Sequence, residues 1–166
     1  MFLCQRRNLV GSTLVEGMMA AGICAIFLGS LFAMNTSSMA TIKMSRQSAA
    51  ASQVLQQRVE SMRIANWHQI TDANWLKNNV LNSDVPGASD IKGLSESLML
   101  IPYDSATSGN TQLTRAAGRT TVVNSIPLLA ENAIKLIWTL NYIGVPNDRP
   151  MTRQTVAIMA KGGVAK

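Results

Sequence analysis

The sequence predicts an α+β chain: a long N-terminal helix packed on a small antiparallel sheet of three to four strands. Three observations carry this. Residues 17–42 contain no charged side chain, and the apolar core of that stretch runs Met18-Met19-Ala20-Ala21-Gly22-Ile23-Cys24-Ala25-Ile26-Phe27-Leu28. Apolar residues then recur at helical spacing from Lys43 to Asn66. Beyond Leu94 the pattern changes to the two-residue alternation of strands.

Before the uncharged run stands a short basic stretch, Met1 to Gly11, with Arg6 and Arg7. The apolar section from Ser12 to Met34 is 23 residues, enough to cross a hydrocarbon core at about 1.5 Å per residue. Glu16 is the one carboxylate at its head. An acid in a span costs about 2.5–3.5 kcal/mol at bilayer centre and less near the ends, so it calls for a partner. Locally, Thr13-Leu14-Val15-Glu16 also fits a capping box, with Glu16 bonding back to a free amide at a helix start. Polar Asn35-Thr36-Ser37-Ser38 marks a membrane exit or a loosening of the helix.

The second half of the helix carries one apolar stripe, Ala51, Leu55, Val59 and Met62, with Arg46, Gln57, Arg58, Glu60 and Arg63 covering the rest. No proline occurs before Pro86, so one nearly continuous helix is expected. Trp67 to Asp90 reads as a loop region with short helical turns. Leu98-Met99-Leu100-Ile101 is a strand ending at Pro102, and Thr111 to Asn124 is a strand interrupted at Ala116-Ala117-Gly118. In the clearest strand, Ala133 to Ile143, Ile134, Leu136, Trp138, Leu140 and Tyr142 share one face. Lys135, Thr139 and Asn141 share the other. A final strand, Thr152 to Ala160, sets Val156, Ile158 and Ala160 against Arg153 and Thr155. A one-faced sheet needs cover, and the stripe Leu55, Val59, Met62 supplies it.

Composition argues against catalysis. His68 is the only histidine, Cys4 and Cys24 lie in the leader and the apolar helix, and no glycine-rich phosphate loop is present. Asp84, Asp90, Glu96 and Asp104 read as separate loop carboxylates. No metal, cofactor or small-molecule substrate is expected. The formal charge of +6 falls to +4 without the leader, and the cations are scattered rather than clustered. Nucleic acid is therefore not an expected partner.

Gly11-Ser12-Thr13-Leu14-Val15-Glu16, behind a basic leader and before an apolar helix, resembles the processing site of type IV pilin-like proteins. It departs from the usual Gly-Phe-Thr-Leu-(Ile/Val/Leu)-Glu at Ser12, a change that bears on methylation more than on cutting. The resemblance implies cleavage by a prepilin peptidase between Gly11 and Ser12, N-methylation of Ser12, and a role for Glu16, fifth in the mature chain, in setting the stagger between subunits. The implied organisation is a leader over 1–11, a transmembrane and filament-core helix over 12–34, its amphipathic continuation over 35–66, and a sheet domain over 67–166. The implied partners are other pilin or pseudopilin subunits, an inner-membrane assembly platform and membrane lipid. The implied location is the bacterial inner membrane, leader cytoplasmic and C-terminal domain periplasmic, and then a filament.

Ala33 stands where major pilins commonly have proline, and no disulfide can form after processing. Both features, together with the Val/Ile-x-Val/Leu-x-Trp strand followed by a turn, resemble minor pilins and type II secretion pseudopilins. Two alternatives stay open. A DNA-uptake minor pilin would gather Arg115, Arg119, Lys135, Arg149 and Arg153 on one face. A single-span membrane protein with a ligand-binding outer domain would use Glu16 only as a cap.

Overall fold

The computed structural model describes residues 9–103, 108–145 and 148–162, with side chains from Thr13 onward. Asp104 and the leader cations Arg6 and Arg7 lie outside the described residues. The contacts divide the chain into two compact units, Met1–Ile42 and Lys43–Lys166.

The first unit is the opening part of helix α1, which spans Leu9–Ile64. The stretch Asn35 to Ser38 does not interrupt the helix. Its hydroxyls fold back instead: Thr36 Oγ1 donates to the Phe32 carbonyl at 2.9 Å, and Thr41 Oγ1 to that of Ser37 at 3.1 Å. Ser30 Oγ does the same to Phe27 at 2.7 Å. Such back-bonding satisfies a hydroxyl without any partner outside the helix.

In the second unit the later turns of α1 lie on an antiparallel sheet. Its strands are β1 (Ser95–Pro102), β2 (Thr111–Ala116), β3 (Arg119–Asn124), β4 (Ala133–Gly144) and β5 (Arg149–Ala160), in the spatial order β3-β2-β1-β4-β5. There are five strands rather than three to four. The extra one arises because Thr111 to Asn124 is a hairpin. Ala117 and Gly118 form its two-residue loop, with φ of 49° and 76°. Positive φ at both central positions is the geometry whose twist matches that of paired strands.

The core joins Ala51, Val54, Leu55 and Met62 of α1 to Leu98 and Leu100 of β1, Leu113 of β2, and Ile134, Leu136, Trp138 and Leu140 of β4. The alternation read for β4 is the one observed, with every even residue from Ile134 to Gly144 buried. Between α1 and β1 the chain makes helices α2 (Trp67–Ile70) and α3 (Ala73–Trp75), a π-helical segment Leu76–Leu81 and a 3-10 turn Ala88–Asp90. Leu76, Val80 and Leu81 add to the core. Trp67 and Trp75 pack against it, and Trp67 Nε1 donates to the Leu129 carbonyl at 3.3 Å.

Three sequence expectations are corrected here. On β5, Val156 and Ile158 face outward, 53% and 56% exposed, whereas Met159 is buried and Thr155 and Ala157 are half-buried. Register decides this: Thr155 lies opposite buried Trp138, and Val156 opposite Ile137 on the outer face. On α1, Val59 is only half-buried and Arg58 is fully buried, the reverse of the stripe expected. Glu96 is no loop carboxylate but a buried residue of β1.

Candidate functional site

Two sets of residues stand out, and each belongs to one unit. The first is the bare helix around Glu16. From Thr13 to Met39 every side chain is exposed. Met18, Ile23, Ile26 and Phe32 are 68–76% exposed and point in different directions around the helix. A Cβ built at Gly17, Gly22 or Gly29 would meet no atom within 4 Å. Cys24 is a free, exposed thiol. This helix is long and apolar enough to cross a membrane, with none of its most apolar window buried within the chain.

Gly11 and Ser12 lie in the α1 backbone, but their side chains fall outside the described set. The capping-box expectation is overturned. The chain is already helical at Leu9, upstream of Thr13, so Thr13 lies within the helix rather than at its start. Glu16 therefore sits inside a helix, one turn beyond Ser12 and on the same face, since residues four apart stack along the axis.

The second set is a charged cluster inside the sheet domain. Arg58 is 1% exposed and Glu96 3%. Their contact is bidentate, with Nε donating to Oε2 at 3.0 Å and Nη2 to Oε1 at 2.9 Å. The same guanidinium donates to the carbonyls of Val80, Leu81 and Ser83 and to Ser83 Oγ. Its Cζ lies 6.0 Å from the centroid of the Trp138 ring. Arg115 Nη1 adds a third charge, 3.2 Å from Glu96 Oε1. The arrangement saturates Arg58 and explains why it survives burial: a buried charge is tolerated when paired and fully hydrogen-bonded. The signal was in the helix itself, because Arg58 falls between buried Val54 and Met62 at intervals of four.

Beside this cluster lies a cavity of about 660 Å³ whose lining includes Asp84, Pro86, Leu94, Glu96 and Arg115. Glu96 and Arg115 are engaged with each other there. His68 is exposed on α2. Among the described residues, no three His, Cys, Asp or Glu side chains gather as they would around a metal ion.

The five cations weighed for a basic face do not converge. Arg119 is on edge strand β3, while Arg149 and Arg153 are on the opposite edge strand β5. Four strand spacings separate those edges, about 19 Å at ~4.8 Å each. Arg115 shares a face with buried Leu113, and Lys135 is on the other face of the sheet.

No family model matches the chain, and no match is found among curated proteins or solved structures.

Proposed function

We propose that the chain is a structural subunit of a type IV pilin-like filament, a minor pilin or a type II secretion pseudopilin. It is cut after Gly11 and assembled through α1. One observation carries the reading: a helix exposing apolar side chains all round from Thr13 to Ile42, with Glu16 as its single charge. Such a surface is stable in lipid or against neighbouring helices, and exposed to water it is not.

Cleavage would place a new amine at Ser12. That ammonium would stand at the positive end of the helix dipole, an unfavourable position for a cation. A carboxylate removes the conflict. Within one chain Glu16 is a turn away along the axis, and in a bundle the Glu16 of a neighbour can reach the amine instead. Pairing between chains fixes the axial offset of one subunit against the next, while the glycines and Ala20, Ala21 and Ala25 permit close helix approach. The basic residues Arg6 and Arg7 favour a cytoplasmic leader. The sheet domain would then lie in the periplasm.

Co-expression of the full chain with a prepilin peptidase should yield a product 11 residues shorter, beginning at Ser12. An uncut chain, or a cut elsewhere, would remove the basis for this reading. Glu16→Ala should be cut normally and fail to enter filaments with its partner subunits.

A further inference from the structure

The two edges of the sheet are guarded to very different degrees. β3 is six residues long, and its pairing with β2 shifts register between Gln112 and Leu113. Short length and a bulge are ordinary protections against strand addition. β5 is twelve residues long and keeps unbroken register with β4 from Arg149–Gly144 to Ala160–Ala133. Pro150 guards only its start. Among the described residues, β5 pairs with no strand except β4.

Alongside this open edge runs a groove of about 800 Å³ between β5 and α1, with Leu55, Gln56, Val59, Glu60 and Arg63 on the helix side and Arg153 to Thr155 on the strand side. The groove accounts for the one stripe residue left half-buried. Val59 belongs to the apolar face of α1, but the sheet ends before covering it. A sixth strand beside β5 would close that gap.

Charge selects the occupant. From Arg149 to Lys161 the chain carries Arg149, Arg153 and Lys161 and no acid, and Lys135 stands opposite Ile158 on the neighbouring strand. Two acids beside the strand and its groove are already paired: Asp148 Oδ1 with Lys92 Nζ at 2.9 Å, and Glu60 Oε2 with Arg63 Nη1 at 3.5 Å. A second copy added antiparallel in the register centred on Thr155, which pairs the full strand, would set one Arg149 against the other Lys161, bringing like charges together.

We propose that β5 is a strand-addition site for an extended acidic segment of another protein. Its carboxylates would alternate inward, on the α1 side, to meet Arg149, Arg153 and Lys161, and its apolar residues would lie outward beside the exposed Val156 and Ile158. Main-chain bonds would supply affinity and the alternate side chains selectivity, as in other edge-strand recognition. The inference holds whether or not the chain is processed at Gly11.

The test uses the full chain in detergent micelles and a capped ten-residue peptide alternating Val or Ile with Asp or Glu. Binding is read by fluorescence anisotropy and located by amide hydrogen exchange. The acidic peptide should bind at least tenfold more tightly than its Lys-substituted counterpart and protect amides of 151–160, not those of 119–124. N-methylation of alternate peptide amides should weaken binding at least tenfold, and Val59→Glu should also weaken it. The proposal is overturned by no binding, by equal affinity for the two charge patterns, or by indifference to N-methylation. Protection on β3, or self-association that protects β5 in place of peptide binding, overturns it equally.

Discussion

The two parts of α1 solve opposite problems with the same backbone. From Thr13 to Ile42 the helix exposes a largely apolar surface and carries one acid. From Lys43 to Ile64 it buries a narrow stripe, and in the middle of that stripe it buries an arginine. In the first part the charge stands out because it is the one charged residue in the sequence from Thr13 to Ile42. In the second the charge disappears because six oxygen atoms surround it. A charged residue saturated by its own chain, as Arg58 is, thus carries no signal about partners beyond it.

The largest effect should come from breaking the answered charge. Arg58→Ala leaves Glu96 buried with only Arg115 as a cation, and should destabilise the sheet domain by about 3–5 kcal/mol. Urea unfolding of the full chain in detergent, followed by tryptophan emission, would measure it. Membrane insertion should be unchanged, and a loss of insertion would mean that the two parts of the helix are not independent.

Ile26→Lys reverses the experiment. Placed near the middle of the apolar part, it should cost about 2.5–3.5 kcal/mol of insertion, read as the inserted fraction in a glycosylation-mapping assay. The urea midpoint of the sheet domain should not move.

Combining Arg58→Met with Glu96→Leu should destabilise less than the sum of the single changes, by about 1–3 kcal/mol of coupling. Simple additivity would show that the carbonyls of Val80, Leu81 and Ser83, rather than the carboxylate, are what Arg58 chiefly serves. The smallest effect belongs to the exposed pair Glu60–Arg63. Glu60→Ala should shift stability by less than about 0.5 kcal/mol. A larger loss would show Glu60 acting beyond its neighbour one turn away.

What was legible in the sequence follows from what periodicity can register. The unbroken helix, the β4 alternation and the irregularity at Ala116-Ala117-Gly118 were all visible, because each is a local pattern of size, polarity or turn chemistry. Arg58 was assigned to the polar face because hydropathy counts an arginine as exposed. Its partner Glu96 lies 38 positions away, so only the fold brings them together. The phase of β5 was misread because Val156 and Ile158 are more apolar than Thr155 and Ala157. Pairing with β4 outweighs that difference, since a strand cannot turn one face inward without matching its neighbour's pleat. The alternation of Met151, Ala157 and Met159 at odd positions was the weaker signal, and the correct one. At the N-terminus, the isolation of Glu16 is legible in the sequence, but the capping pattern Thr13 to Glu16 points to a helix start where the structure has helix already.

The saturation of Arg58 has a consequence for how the domain reaches its native arrangement. Its ligands come from three separate places: the end of the π-helical segment, Ser83 and β1. A displacement of α1 by one turn, about 5.4 Å, would bring Val54 or Met62 to the carboxylate and carry the guanidinium away from its oxygens. Apolar contacts alone would tolerate such a slip, because one aliphatic side chain can replace another. The arginine does not tolerate it, so every near-miss docking of α1 leaves charges unanswered and only the native one closes the account. Proofreading of the helix position is built into a single side chain.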